Sequence, residues 1–147
     1  MRETLWNGFL YWTPNRTSSI NAGFQYERLD GPTDAFVPSL LATSRTLALP
    51  VQVRLFDPSG WLGSLRVTGL QQTGEFYNAT TGSFVSGHES AALVDLGIGY
   101  RFPRNEGLVL LEIGNLLDSS FRFQELNPQV TTLARRRTVF LKGYINF

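Results

Sequence analysis

The last eleven residues of the chain, positions 137–147 (RTVFLKGYINF), constrain its fold more than any other stretch. Their side chains alternate between two sets, and the chain ends on an aromatic residue. A period of two residues is the signature of a β-strand, in which successive side chains point to opposite faces. The stretch therefore predicts a terminal strand with one apolar face, made of Val139, Leu141, Gly143, Ile145 and Phe147.

Composition indicates a β-rich domain and excludes several functions. The chain has 147 residues, enough for one domain, with 13% aromatic residues, 14 glycines and a single methionine. Its 13 basic and 12 acidic side chains give a net charge of +1, which does not favour nucleic acid as a partner. The absence of cysteine excludes disulfides, thiolate catalysis and cysteine-ligated metals. No apolar run reaches the roughly 18 residues that a membrane helix needs.

Seven segments show period-2 alternation, and none of the chain predicts a helix. The connections between these segments alternate in length. Short turns are expected at Pro14–Ser18, Asp57–Gly60 and Pro103–Gly107, and long polar loops at Leu29–Thr46, Thr73–Ser90 and Leu116–Arg136. Short and long connections alternate in up-and-down barrels of the outer membrane. The predicted strands are Leu5–Thr13, Ser19–Arg28, Leu47–Phe56, Trp61–Gln72, Ala91–Phe102, Leu108–Asn115 and Arg137–Phe147.

Alternation separates an apolar set from a charged set, but a soluble barrel would turn the apolar set inward and a membrane barrel would turn it outward. Aromatic residues near the short turns and the terminus favour the membrane, since such rings gather at a membrane interface. These residues are Trp12, Trp61, Tyr100, Phe102 and Phe147. The charges expected to face the lumen of a membrane barrel are Glu27, Arg54, Arg66, Asp95, Arg101, Glu112 and Lys142.

Seven antiparallel strands cannot close on themselves, because the first and the last would run in the same direction. Bacterial single-chain barrels have even strand numbers. We therefore expect an odd number of further strands upstream, unless the apolar part of Leu29–Thr46 hides one. The opening residues, MRETLWNG, do not resemble a signal peptide, so we expect that one has been removed or that Met1 is not the true start.

The stretch GYRFPRNEGLVLLEIGNLLDSSFRF, at positions 99–123, carries the most specific resemblance. It resembles the closing region of TonB-dependent receptors, whose last strands include an Asn-Leu-Phe-Asp-type motif followed by an aromatic residue. The matching residues are Asn115, Leu116, Leu117 and Asp118, with leucine in place of the usual phenylalanine. The terminal strand is similar to the assembly signal of outer-membrane barrels, carried here by Val139, Leu141, Ile145 and Phe147.

This resemblance implies the C-terminal part of an outer-membrane β-barrel that takes up a ligand. Its partners would be outer-membrane lipid, the barrel-assembly machinery, and the upstream strands and plug of a parent chain, while the transported ligand remains unknown. One alternative is an outer-membrane barrel for polymer export, linked to tetratricopeptide repeats. Another is a soluble β-sandwich or barrel that binds a partner through its loops.

Candidate chemistry is sparse, and we expect neither an enzyme nor a bound metal or cofactor. His88 is the only histidine, and with Glu89 it falls short of a metal site. We expect it in a solvated loop. Asn115 and Asp118 are expected to shape the start of a loop rather than to contact a ligand. The cations Arg135, Arg136 and Arg137 are candidates for lipopolysaccharide contact, although solvated or loop-paired arginines are the simpler interpretation.

Overall fold

The computed structural model describes residues 2–31, 41–78, 81–120 and 136–146 of the chain. These residues form seven β-strands and one 3-10 turn at Pro103–Asn105. The strands are β1 (Arg2–Asn15), β2 (Ser18–Asp30), β3 (Leu41–Phe56), β4 (Trp61–Asn78), β5 (Ser83–Arg101), β6 (Gly107–Gly114) and β7 (Thr138–Ile145).

Each strand pairs antiparallel with the next, so that the seven form one sheet in the order β1 to β7. The prediction of an all-β antiparallel meander of seven strands is confirmed. Strands β1 and β7 are the two edges of the sheet, and they run in the same direction because an even number of reversals separates them. Within the described residues, the sheet is a single layer with no second layer packed against either face.

The predicted loop over residues 73–90 is wrong. Strand β4 continues to Asn78 and β5 begins at Ser83, so the two strands form a long hairpin in which Asn78 is opposite Ser83. The polar residues of this stretch are typical of a loop. A strand ladder is held by backbone hydrogen bonds, however, and polar residues can extend it wherever the sheet projects into water.

Strand β3 also begins earlier than expected, at Leu41 rather than at residue 47. Its first residues therefore take part of the apolar run that we considered as a hidden strand. Strand β2 pairs directly with β3, and the described residues contain no additional strand between them. Residues 32–40 lie outside the described part of the chain.

The turn between β3 and β4 shows how the sequence fixes a short connection. The Asp57 N–H donates to the Trp61 carbonyl at 2.8 Å, and the Gly60 N–H donates to the Asp57 carbonyl at 2.9 Å. Gly60 has a φ of 104°, which residues with a side chain rarely adopt. The hydroxyl and the backbone N–H of Ser59 both donate to the Asp57 carboxylate and hold its pKa below its ordinary value.

Candidate functional site

One face of the sheet carries most of the aliphatic strand residues in the described part of the chain, and we call it the apolar face. Residues directly opposite each other on paired strands point to the same face. Val53, Leu65 and Leu96 form one such row, and Val51, Val67 and Val94 form the next. The apolar face consists of Trp6, Leu10, Trp12, Ile20, Ala22, Phe24, Tyr26, Leu47, Leu49, Val51, Val53, Leu55, Trp61, Leu65, Val67, Val94, Leu96, Ile98, Tyr100, Phe102, Val109, Leu111, Ile113, Val139, Leu141 and Ile145.

The apolar face is a band with a polar border on the side of the long connections. Along β4 it runs from Trp61 to Gly69, after which Gln71 and Thr73 occupy the same face. The band along this strand is about 26 Å long at a rise of about 3.3 Å per residue. The neighbouring strands change in the same way, to Arg45 on β3 and Ser90 on β5.

Aromatic rings lie at both borders of this band. Near the short turns, the Trp61 and Tyr100 rings are 5.2 Å apart and the Tyr100 and Phe102 rings are 5.7 Å apart, both edge-on. At the opposite border, Trp6 on β1 lies directly across from Tyr26 on β2. The sequence analysis identified only the first group. The second could have been found by following the alternation of β1 back from residue 12.

Trp12 and Phe147 are the two remaining aromatic residues predicted at the rim of the sheet. Trp12 lies opposite Ile20 on the apolar face, three residues before the end of β1. Phe147 lies outside the described residues. All three tryptophans of the chain therefore belong to the apolar face.

In the part of the chain that the structure describes, the sheet buries no large apolar side chain completely. Among the described residues, the largest fully buried side chains are those of Asn115 and Ser44. By contrast, Leu141 is 75% exposed and Leu55 is 57% exposed, although both lie on the apolar face. A soluble β-domain packs such a face against a second layer. The apolar face therefore requires a cover that the described residues do not supply.

The opposite face, which we call the polar face, carries the charges that lie level with the apolar band. The register places all seven charges named in the sequence analysis on it: Glu27, Arg54, Arg66, Asp95, Arg101, Glu112 and Lys142. Lys142 on β7 pairs with Glu112 on β6.

Asp95 does not form an ion pair in the described part of the chain, although basic residues lie near it on the same face. Arg66 lies directly opposite it, yet the Arg66 guanidinium donates to the Gln52 side chain at 3.3 Å. The Asp95 carboxylate instead accepts the backbone N–H of Asn115 at 2.9 Å. A backbone donor held in a tight turn needs no side-chain ordering, whereas an exposed ion pair does.

A groove of about 340 Å³ lies on the polar face across β3 to β7. Arg54 and Arg66 line it on one side, and Glu112 and Lys142 line it on the other. Gly97 lies in the same row as Ser64 and Glu112, and an added Cβ at this glycine would collide with the Ser64 hydroxyl.

The motif at positions 115–118 shapes the exit from β6. Asn115 is buried, has a φ of 49°, and exchanges two hydrogen bonds of 2.9 and 3.0 Å with the backbone of Ser119. The Leu116 N–H donates to the Val94 carbonyl at 2.7 Å, and Leu117 is exposed. Asp118 accepts the Arg137 N–H at 3.0 Å and so joins this turn to the start of β7. All these contacts are made between residues of this chain.

On the polar face, the edge strands β1 and β7 carry different residue types from the middle strands. On β1, Leu5, Phe9 and Tyr11 lie on the polar face, and Phe9 is 91% exposed. On β7, Phe140 and Tyr144 lie on the same face and are also exposed. The polar face is thus charged at its centre and aromatic at both edges.

The other residues named in the sequence analysis lie on β7 or just before it. Val139, Leu141 and Ile145 are exposed on the apolar side of β7, whereas Phe147 is outside the described residues. Arg136 and Arg137 are exposed just before β7, and Arg135 is outside the described residues.

The expectation of a loop histidine is wrong, because His88 lies within β5 and its ring hydrogen-bonds the Thr73 hydroxyl at 3.1 Å. Within the described ranges, no group of three metal-ligating side chains comes together. No helix among the described residues has the length and hydropathy to cross a membrane.

Comparison with protein-family models, with curated protein sequences and with solved structures returned no match. The two faces of the sheet are therefore the features that point to a function.

Proposed function

We propose that this chain is a wall segment of a bacterial outer-membrane β-barrel, with its apolar face in lipid and its polar face toward the lumen. The observation that carries the proposal is the exposed apolar band. It is about 26 Å long on β4, and it has a polar border on one side and aromatic rings at both ends. Strands of outer-membrane barrels cross the apolar layer with about 9–11 residues tilted by about 45°, and aromatic girdles lie at both interfaces; the nine residues from Trp61 to Gly69 match that length.

A soluble protein would need another explanation for each part of this pattern. Exposed apolar patches on soluble monomers rarely exceed a few hundred Å². A protein partner could cover such a face, but it would not require tryptophan and tyrosine at two opposite borders. Lipid does, since these amphipathic rings are most stable at the level of the headgroups.

Within membrane barrels, we propose ligand uptake of the TonB-dependent type as the role of the parent protein. The resemblance at positions 99–123 supports this, and so do the aromatic inner positions of β1 and β7. Phe9 and Phe140 would be costly in a water-filled pore, whereas a plug inside the barrel would cover them. Export of a polymer through an open pore remains the competing role. A plug domain encoded upstream would favour uptake, and tetratricopeptide repeats would favour export.

Depth-dependent fluorescence quenching in vesicles tests the membrane assignment. The parent barrel is refolded into phospholipid vesicles as a set of variants with a single tryptophan, placed within this chain, and quenchers are attached to the lipids at shallow or deep positions. We expect Trp6 and Trp61 to be quenched most strongly by the shallow quencher, and Val67→Trp by the deep one. Thr68→Trp is the matched control, because it is the next residue on β4 but lies on the polar face. Neither lipid quencher should reach it efficiently.

Behaviour in plain buffer provides the opposing test. With its apolar face and two strand edges uncovered, the chain should aggregate in water and stay dispersed only in detergent or lipid. A monodisperse monomer that unfolds cooperatively in plain buffer would refute the membrane proposal and leave the soluble β-domain as the better interpretation.

A further inference from the structure

We propose that Arg54 and Arg66 form a binding site for a phosphate group in the groove of the polar face. The site lies wholly within described strands, and it does not depend on whether lipid covers the opposite face.

The two arginines are held close together by the register of β3 and β4. Arg54 is opposite Ser64, and Gln52 is opposite Arg66, so the two arginines are diagonal neighbours on the same face. Such positions have Cα atoms about 7–8 Å apart, within reach of long side chains. Two like charges this close repel each other unless an anion lies between them.

The fold offers no carboxylate to either guanidinium within the described residues. Asp95 is the natural partner of Arg66, being directly opposite, but its Oδ1 accepts the Asn115 N–H at 2.9 Å. Glu112 is paired with Lys142 on the far side of the groove. Arg66 turns toward β3 and donates to Gln52 instead, two residues before Arg54 on that strand, and both arginines line the groove.

The groove has room for a tetrahedral anion between these walls. Its volume is about 340 Å³, and the small side chain of Ser64 is among the residues that line it. Two planar guanidinium forks can donate several hydrogen bonds to one phosphate. A monocarboxylate has only two oxygens and one charge, and would engage the pair less completely. Asp95 and Glu112 oppose any anion, but Lys142 neutralises Glu112, so the five charges sum to +1.

Side-chain NMR of the arginines tests the site directly. The labelled full chain is folded in nonionic detergent micelles and titrated with inorganic phosphate at constant ionic strength, while the Nε–Hε signals are followed. Two signals, identified by their loss in Arg54→Gln and Arg66→Gln, should shift in a saturable way. Either substitution should raise the dissociation constant about tenfold, and the double variant should abolish binding.

Arg101→Gln is the matched control, since Arg101 lies on the same face but does not line the groove. It should leave phosphate binding unchanged, and acetate should bind more weakly than phosphate. Shifts that follow ionic strength alone, or phosphate binding that survives in the double variant, would overturn the proposal. If the chain proves soluble in plain buffer, the membrane assignment fails, but the same titration without detergent still tests this site.

Discussion

An arginine placed on each face of β4 separates a lipid-covered sheet from a soluble one. Val67 and Thr68 are consecutive residues within the band, and Val67 lies about 7 Å from its middle at Leu65; the two differ mainly in the face on which they lie. Val67 is 40% exposed in the chain alone and touches no charged neighbour in its row, which contains Val51 and Val94. The variants Val67→Arg and Thr68→Arg therefore compare the two environments at nearly the same depth.

The expected magnitudes follow from the surroundings of each position. An arginine on the lipid face of a barrel costs about 2–4 kcal/mol near the midplane and about 0–1 kcal/mol near an interface, whereas lumen positions tolerate charge. Val67 lies between these depths, so Val67→Arg should lower the free energy of unfolding by about 1–3 kcal/mol, and Thr68→Arg by less than about 1 kcal/mol. In a soluble sheet, a valine that is 40% exposed behaves as a surface residue, and its replacement changes stability by about 0.5 kcal/mol or less.

The assay is urea unfolding of the parent barrel in phospholipid vesicles, followed by tryptophan fluorescence and checked for reversibility. A loss of about 1–3 kcal/mol in Val67→Arg corresponds to about 5-fold to 150-fold in the unfolding equilibrium. Equal effects of the two substitutions would refute the assignment of lipid to one face. A larger effect of Thr68→Arg would show that the faces are inverted.

Three further predictions concern the turns and the terminus. Gly60→Ala should cost about 1–2 kcal/mol, because the φ of 104° puts its Cβ into backbone, whereas Gly69→Ala, with open space around it, should be nearly neutral in the same urea assay. Ser59→Ala should raise the pKa of Asp57 toward its ordinary value of 3.8 in an NMR titration. Because folding lowers this pKa, the contribution of Asp57 to stability should be complete above about pH 4 and be lost as the pH falls through the folded pKa. Deleting Phe147 from the parent protein should reduce outer-membrane insertion, measured by heat-modifiable gel shift, while refolding into detergent stays near normal.

The strands and their faces could be predicted from the sequence because a period of two residues is a local signal. The predicted alternation around Val53, Leu65 and Leu96 is also seen in the structure, where the register brings the three residues into one row. The extensions of β4 and β5 could not be predicted, because polarity at Thr73 and His88 indicates contact with water and not the absence of a strand.

Polar partnerships were the least predictable part of the candidate site. Asp95 and Arg66 stand opposite each other, so alternation alone suggested an ion pair. The partner that Asp95 uses is a backbone N–H at Asn115, which becomes available only because the chain turns there with a φ of 49°. Such a donor leaves no trace in the residue types. The groove of the polar face depends in the same way on how strands β3 to β7 are aligned.

The two free edges limit how the sheet could close into a barrel in a bilayer. Strands β1 and β7 run in the same direction, so a ring made of copies joined edge to edge would require parallel pairing at every junction. Two copies related by a two-fold axis could pair their edges antiparallel, but one copy would then be inverted across the membrane. That inversion would move the upper border of the band, with Arg45 and Ser90, to the opposite surface of the bilayer. If the apolar face lies in lipid as proposed, antiparallel closure needs an odd number of additional strands between β7 and β1. Those strands would also cover both edges, which explains how a protein can carry an open, apolar first strand such as β1 without aggregating.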